Sequence, residues 1–230
     1  MTMGRFRTAP TLGHWNGLVH ILGYLCEHLD GAIRFRMELP DHEGMFKVQI
    51  EDWMKTVYGD CKEEIPNDAP KPKGTFVRTT TWVDAALMHC KATGKSSTGV
   101  LTMVNQTPID WYSKRQSTVE TATYGSELIA ARTAVQQITD LRLTLRYLGV
   151  PIDGPSWLLG DNMSVITSCN NPHTTLGKRH NFLSYHAVCA AIASGMINLC
   201  HVRHDQNVAD VLTKFLARND SYPLVQPLLF

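Results

Sequence analysis

Three β-runs stand close together in the middle of this chain, and the links between them are too short to hold a helix. Residues 76–86 are rich in Thr and Val and carry Trp82. A turn at 94–97 leads into a second run, 99–104, and a turn at 105–108 leads into a third, 109–113. Links of that length leave an antiparallel meander, because a parallel pair needs a crossover of about a dozen residues or more. The pattern then changes period. Residues 122–148 place Leu128, Ala131, Val135, Ile138, Leu141, Leu145 and Leu148 on one helical face, with Gly149 and Pro151 to end it. A short apolar strand at 156–160 follows, then helices at 162–168 and 182–193, a fifth strand at 196–202, and a last helix at 208–216 capped by Asn207. Strands joined through helices must run parallel to a neighbour, by right-handed crossovers. The expected fold is therefore α/β: a five-stranded mixed sheet, three strands antiparallel and the rest parallel, with helices on its faces.

The 75 residues ahead of this unit read differently. Leu18, Ile21, Leu22, Leu25 and Leu29 predict an amphipathic helix over 12–30, and residues 32–37 predict a short strand. Residues 38–75, with Pro66, Pro70, Pro72 and Gly74 among acidic side chains, read as a polar connector. From Arg218 the tail turns polar and then rich in Pro and Leu. The expected division is 1–37, 38–75, 76–217 and 218–230. A net charge of +1 supplies no global field toward nucleic acid or membrane, so any such binding needs a local basic patch. The six cysteines form no Cys-x-x-Cys pair, which argues against a zinc ribbon or redox motif. No apolar run approaches a membrane span and no apolar leader is visible, so an intracellular setting is expected.

Four acidic residues occupy four separate elements: Asp84 in the first strand, Glu127 in the first turns of the long helix, Asp161 directly after the strand at 156–160, and Asp210 on the last helix. Each has a bland explanation. Asp84 suits a solvated strand end, Glu127 favours a helix N-terminus through the dipole, Asp161 is a plausible N-cap, and Asp210 pairs with Lys214 at i+4. Together they are more specific, since a mixed sheet can bring these elements to one point. Four carboxylates in contact repel unless cations neutralise them. Oxygen-only ligands select hard ions, Mg²⁺ or Mn²⁺, and two such ions about 4 Å apart suit an in-line phosphodiester displacement.

The segments around these acids resemble the ribonuclease H domain of reverse transcriptases, specifically that of copia-type long-terminal-repeat retrotransposons. The resemblance rests on Trp82-Val83-Asp84-Ala85, on Trp111 to Val119, on Ser126 to Ala131, on Gly160-Asp161-Asn162, on Lys178-Arg179-His180 and on Asn207 to Lys214, in that order, and it covers about residues 76 to 216. It implies that Asp84, Glu127, Asp161 and Asp210 hold two Mg²⁺ ions, with Mn²⁺ as substitute. It also implies that the RNA strand of an RNA–DNA hybrid is cleaved to 3′-hydroxyl and 5′-phosphate ends. Residues 12–37 look like the thumb or connection segment that precedes this domain in copia polyproteins. The polymerase palm is absent, so the missing polymerase domains are expected partners, and the setting is a cytoplasmic virus-like particle or the nucleus. Of the two histidines ahead of Asp210, His204 is preferred over His201 as the residue assisting product release.

A hybrid is read by shape, phosphates and 2′-hydroxyls. Lys114, Arg115 and Gln116 at the end of the third strand, and Lys178, Arg179 and His180 ahead of the helix at 182–193, are candidate phosphate contacts. Asn162, Ser96 and Thr98 are candidate polar readers, with a solvated surface role as the alternative for each. Trp82, Trp111 and Trp157 lie in strands and read as core. Two rival functions stay open: a catalytically silent remnant that keeps the fold and binds nucleic acid or a protein partner, and another two-metal nuclease such as an integrase or resolvase.

Overall fold

A computed structural model describes residues 9–45, 52–171 and 179–229. The meander forms as expected. Strands β1 (Thr79–Cys90), β2 (Lys95–Val104) and β3 (Thr107–Arg115) pair antiparallel, with Thr79 opposite Val104 and Leu101 opposite Trp111. Helix α3 (Thr123–Tyr147) then carries the chain across the sheet to β4 (Ser156–Gly160), which lies parallel to β1. Helices α4 (Met163–Asn170) and α5 (Phe182–Ala193) lead to β5 (Ile197–His201), parallel to β4. The sheet order is β3-β2-β1-β4-β5, the five-stranded mixed sheet that the connection lengths require.

Helix α3 stops where its sequence says it should. Gly149 takes φ 69, its N–H meets the Arg146 carbonyl at 2.9 Å, and the Val150 N–H meets the Leu145 carbonyl at 2.9 Å. That pair of bonds satisfies two carbonyls otherwise orphaned at the helix end and needs a left-handed residue. The apolar stripe of α3 (Leu128, Ala131, Ala134, Val135, Ile138) packs on Val83, Ala85 and Val100 of the sheet and on Val188, Cys189 and Ile192 of α5. The opposite sheet face carries a smaller cluster, Trp157, Leu159, Cys200 and Val202, with Met45 and Trp82 against it.

The flanking segments differ from expectation in several places. Helix α1 (Leu12–Glu27) forms but buries none of its side chains. Residues 32–37 form no strand. The Ala32 and Arg34 N–H groups instead meet the Leu229 and Leu228 carbonyls at 3.3 and 3.1 Å. Those carbonyls end α7 (Arg218–Leu229), a helix where only a polar, Pro-rich tail is expected. Pro223 and Pro227 cost it two backbone donors, and the borrowed N–H groups satisfy its last turn. The polar connector is not bare linker either. It contains α2 (Asp52–Tyr58), whose Met54 is fully buried in the main core, and His42, whose ring stacks on Trp157 with centroids 4.4 Å apart. Among the described residues no helix is long and apolar enough to cross a membrane.

Candidate metal centre

Asp84 points from β1 into a dry corner, 1% exposed. The corner is made by the segment after β5. The helix expected over 208–216 is only one turn long, α6 (Asp210–Thr213), and its N-cap is Ala209 where Asn207 is expected. Asn207 is buried. It donates to the Val83 carbonyl at 3.0 Å and accepts from the Ala209 N–H at 3.2 Å, so it ties this segment to β1 one residue before Asp84. The close approach depends on Gly99, which lies opposite Asp84 on β2. A Cβ there would sit 2.6 Å from Thr213 Cγ2 and 3.0 Å from the Ala209 carbonyl oxygen. With no side chain at 99, α6 rests directly on the sheet and Asp210 arrives beside Asp84.

Glu127 comes from the second turn of α3 and Asp161 from the carboxyl end of β4, the end of a strand where α/β sheets bind ligands. Carboxylate oxygens of Asp84, Glu127 and Asp161 all lie within 4.8 Å of one another. Ligand atoms of Asp161, His204 and Asp210 form a second such group. The four acids singled out from sequence are thus brought together in two overlapping sets that share Asp161. The electrostatics record the crowding. Burial, then the charges of Asp84 and Asp161, push the Glu127 carboxyl up to about 9. Burial first, with the charge of Asp84 adding to it, also raises Asp210, although Lys214 and His204 pull it back in part.

The partners of these acids are specific. Thr213 Oγ1 donates to Asp84 Oδ2. Lys214 Nζ donates to Asp84 Oδ1 at 3.1 Å and to Asp210 Oδ1 at 2.8 Å. His204 Nδ1 lies 2.9 Å from Asp161 Oδ2 and 3.4 Å from Asp210 Oδ2, on a side chain 68% exposed. His204, not His201, therefore touches the cluster; His201 ends β5, exposed to solvent. The i+4 pairing of Asp210 with Lys214 is legible in the sequence, but the reach of Lys214 to Asp84, 130 residues away, is not.

The other candidates divide. Lys114 and Arg115 are exposed at the end of β3. Gln116 is buried instead, with its amide nitrogen 3.0 Å from Thr98 Oγ1 and 2.8 Å from the Ser126 carbonyl, so it braces β2 against α3 and faces no solvent. Ser96 and Thr98 are buried as well, because they face inward from β2, and neither can read a groove. Asn162 caps α4, its Oδ1 accepting from the Val165 N–H at 3.2 Å. Lys178 lies outside the described residues, as does the Arg179 side chain, though the Arg179 backbone opens a short 3₁₀ turn. His180 is exposed, and its Nε2 lies 3.1 Å from Oε2 of fully buried Glu120. Of the tryptophans, Trp157 is core, Trp82 is half-buried, and Trp111 is 56% exposed because β3 is an edge strand.

No family model matches the chain. Among curated proteins, the retrovirus-related Pol polyprotein from transposon RE2 of Arabidopsis thaliana is 24% identical over 216 residues, covering 94% of this chain and 12% of the relative. The corresponding polyprotein from transposon TNT 1-94 of Nicotiana tabacum is 27% identical over 193 residues, covering 84% of this chain and 14% of the relative. The homologues of this chain are plant transposon Pol polyproteins. It spans a small part, 10% to 14%, of the length of the polyproteins it matches. Its neighbours among solved structures are ribonuclease H domains and a reverse transcriptase. The N-terminal RNase H domain of rv2228c from Mycobacterium tuberculosis is 13% identical, with 65% of this chain and 97% of that one covered and a TM-score of 0.47. LC11-RNase H1, solved with an RNA/DNA hybrid, is 12% identical, with 59% and 94% covered and a TM-score of 0.45. A foamy viral protease-reverse transcriptase, also solved with an RNA/DNA hybrid, is 14% identical, with 97% and 28% covered and a TM-score of 0.46.

Proposed function

We propose that this chain is the ribonuclease H portion of a retrotransposon Pol polyprotein, and that it hydrolyses the RNA strand of an RNA–DNA hybrid with bound Mg²⁺ or Mn²⁺. One observation carries the reading: two overlapping three-ligand groups, Asp84 with Glu127 and Asp161, and Asp161 with His204 and Asp210. The donor set fits the ions. The acids supply hard oxygen donors, and the Glu127 carboxyl, lifted first by burial and then by the charges of Asp84 and Asp161, lies where a cation would offset that crowding. Asp84, Glu127, Asp161 and Asp210 would hold the two ions, which when bound supply Lewis acidity at the scissile phosphate. The homologous polyproteins support the assignment to a Pol chain.

The chain's own groups fill the remaining roles. Asp84 and Asp210 are fixed on β1 and α6 by burial, so their carboxylates need little reordering on binding. His204, exposed at the rim beside Asp161, would meet a departing phosphate as it leaves. Lys114 and Arg115 offer exposed charge to the backbone of the duplex. A labelled hybrid incubated with Mg²⁺ tests the reading: the RNA strand should be cut, the DNA strand spared, and Asp84→Asn should abolish cutting. Intact RNA, or cutting indifferent to that substitution, would sink it.

A second reading has one observation in its favour. Both oxygens of Asp84 are already taken, one by Thr213 and one by Lys214, as in a silent remnant that keeps the fold and binds hybrid or protein without cutting. Such a remnant would show no Mn²⁺-dependent heat in calorimetry, whereas an enzyme would.

A further inference from the structure

Lys214 does not behave as an ordinary helical partner of Asp210. Its backbone has left α6 for an extended conformation, φ −113 and ψ 151, and this lets the ammonium reach sideways to Asp84 as well as back to Asp210. Its two partners are dry, with side chains 1% and 3% exposed, while its own is 29% exposed. Among the described residues it makes the only lysine or arginine ion pair with any of the four acids. It therefore sits on oxygens of two proposed ligands, Asp84 Oδ1 and Asp210 Oδ1, at the end of a flexible four-carbon stem that opens toward solvent.

Resting on the metal-binding reading above, we propose that Lys214 is an internal counter-ion that holds the metal-free carboxylates together and must yield its oxygens when a divalent cation binds. Two consequences of opposite sign follow. Without metal, the ammonium offsets repulsion between buried carboxylates, so its removal loosens the fold. With metal, the ammonium is a competitor for two ligands and a like charge nearby, so its removal tightens binding. A residue that merely pairs with Asp210 on a surface would move neither quantity much.

The test uses the full chain, stripped with EDTA, as wild type, Lys214→Met and Lys214→Arg. Calorimetric titration with Mn²⁺ and melting followed by circular dichroism are read on each. Lys214→Met should melt lower in EDTA yet bind Mn²⁺ about tenfold more tightly, the effect of removing one charge at contact distance in a partly dry site. Lys214→Arg keeps the charge and should stay within roughly threefold of wild type. A folded Lys214→Met protein that binds Mn²⁺ no better than wild type overturns the counter-ion and leaves the ribonuclease reading standing, provided the wild type binds Mn²⁺ and cuts hybrid. If no form binds Mn²⁺, both fall. If only Lys214→Met binds it, the counter-ion stands and the native chain is silent. Should Lys214→Met be unfolded in EDTA, Mn²⁺ must refold it; failure to do so overturns the proposal, since a displaceable counter-ion is by definition one the metal can replace.

Discussion

Glu63 grips Arg142 with both carboxylate oxygens, 2.7 Å each, and the same oxygens take Arg146 at 3.3 and 2.6 Å. The Arg142 side chain is 4% exposed and also donates to the Gly154 carbonyl and Ser156 Oγ. Glu63→Ala would leave that guanidinium buried without its anion, at a cost of about 3 kcal/mol, measurable by urea unfolding. Burial alone would raise Glu63, but the hydrogen bonds of Arg142 and Arg146 outweigh it and hold the carboxyl below its ordinary value. The stabilisation is thus fully present above the unfolded-state carboxylate pKa and is lost as pH falls through the lower folded value. The alanine variant should lack this acid-side loss.

Glu127 has the opposite linkage. Its carboxyl is raised to about 9, chiefly by burial, so the folded protein holds a proton that the unfolded chain has released. Metal-free stability therefore declines as pH rises from the unfolded carboxylate value toward 9. Glu127→Gln should raise the EDTA melting midpoint at pH 7, by about 3 kcal/mol in stability, and the advantage should vanish in acid below the unfolded value. The same variant should lose Mn²⁺ affinity. An unchanged pH profile of melting would show that Glu127 is ionised in the folded protein.

Gly99→Ala introduces a methyl group where α6 touches β2. One of the nearest atoms is backbone, so the strain cannot be relieved by a side-chain rotation alone. A loss of about 1–3 kcal/mol is expected from overpacking. Because the shift separates Asp210 from Asp84, Mn²⁺ affinity should fall too. A Val100→Ala change, on the same strand but in the core that α3 covers, should cost stability without that loss of affinity.

Replacing Lys114 and Arg115 together by Gln should weaken hybrid binding without regard to sequence. The slope of log affinity against log salt should shallow by about 1–2. Filter binding of an uncleavable hybrid across a salt series checks it. Gln116→Ala is the contrast: it should lower the melting temperature, since Gln116 braces β2 against α3, and leave the salt slope alone.

Much of the sheet and all four acids were legible in the sequence, for physical reasons. Short links fix antiparallel pairing, helix-length links fix parallel pairing, and a carboxylate in an apolar strand needs a purpose. Less legible was anything decided by which way a side chain faces. Ser96, Thr98 and Gln116 are polar yet point inward: Ser96 accepts from the Met88 N–H of β1, and Gln116 donates to Thr98 of β2 and to the Ser126 carbonyl of α3. Trp111 is apolar yet sits on an edge strand. The shortness of α6 escaped the periodicity of residues 208–216 because Asn207 spends its side chain on β1, and Lys214 turns back where a longer helix would have carried it away.

Ala32 and Arg34 complete the last turn of α7 with their backbone N–H groups. The first and last described segments are thus tied at the level of main chain, where only a proline, which lacks the N–H, would remove the bonds. Release of the N-terminal segment would fray α7 at its carboxyl end. Limited digestion should accordingly shed the two flanks as a linked pair, leaving the sheet and its carboxylates as the resistant fragment.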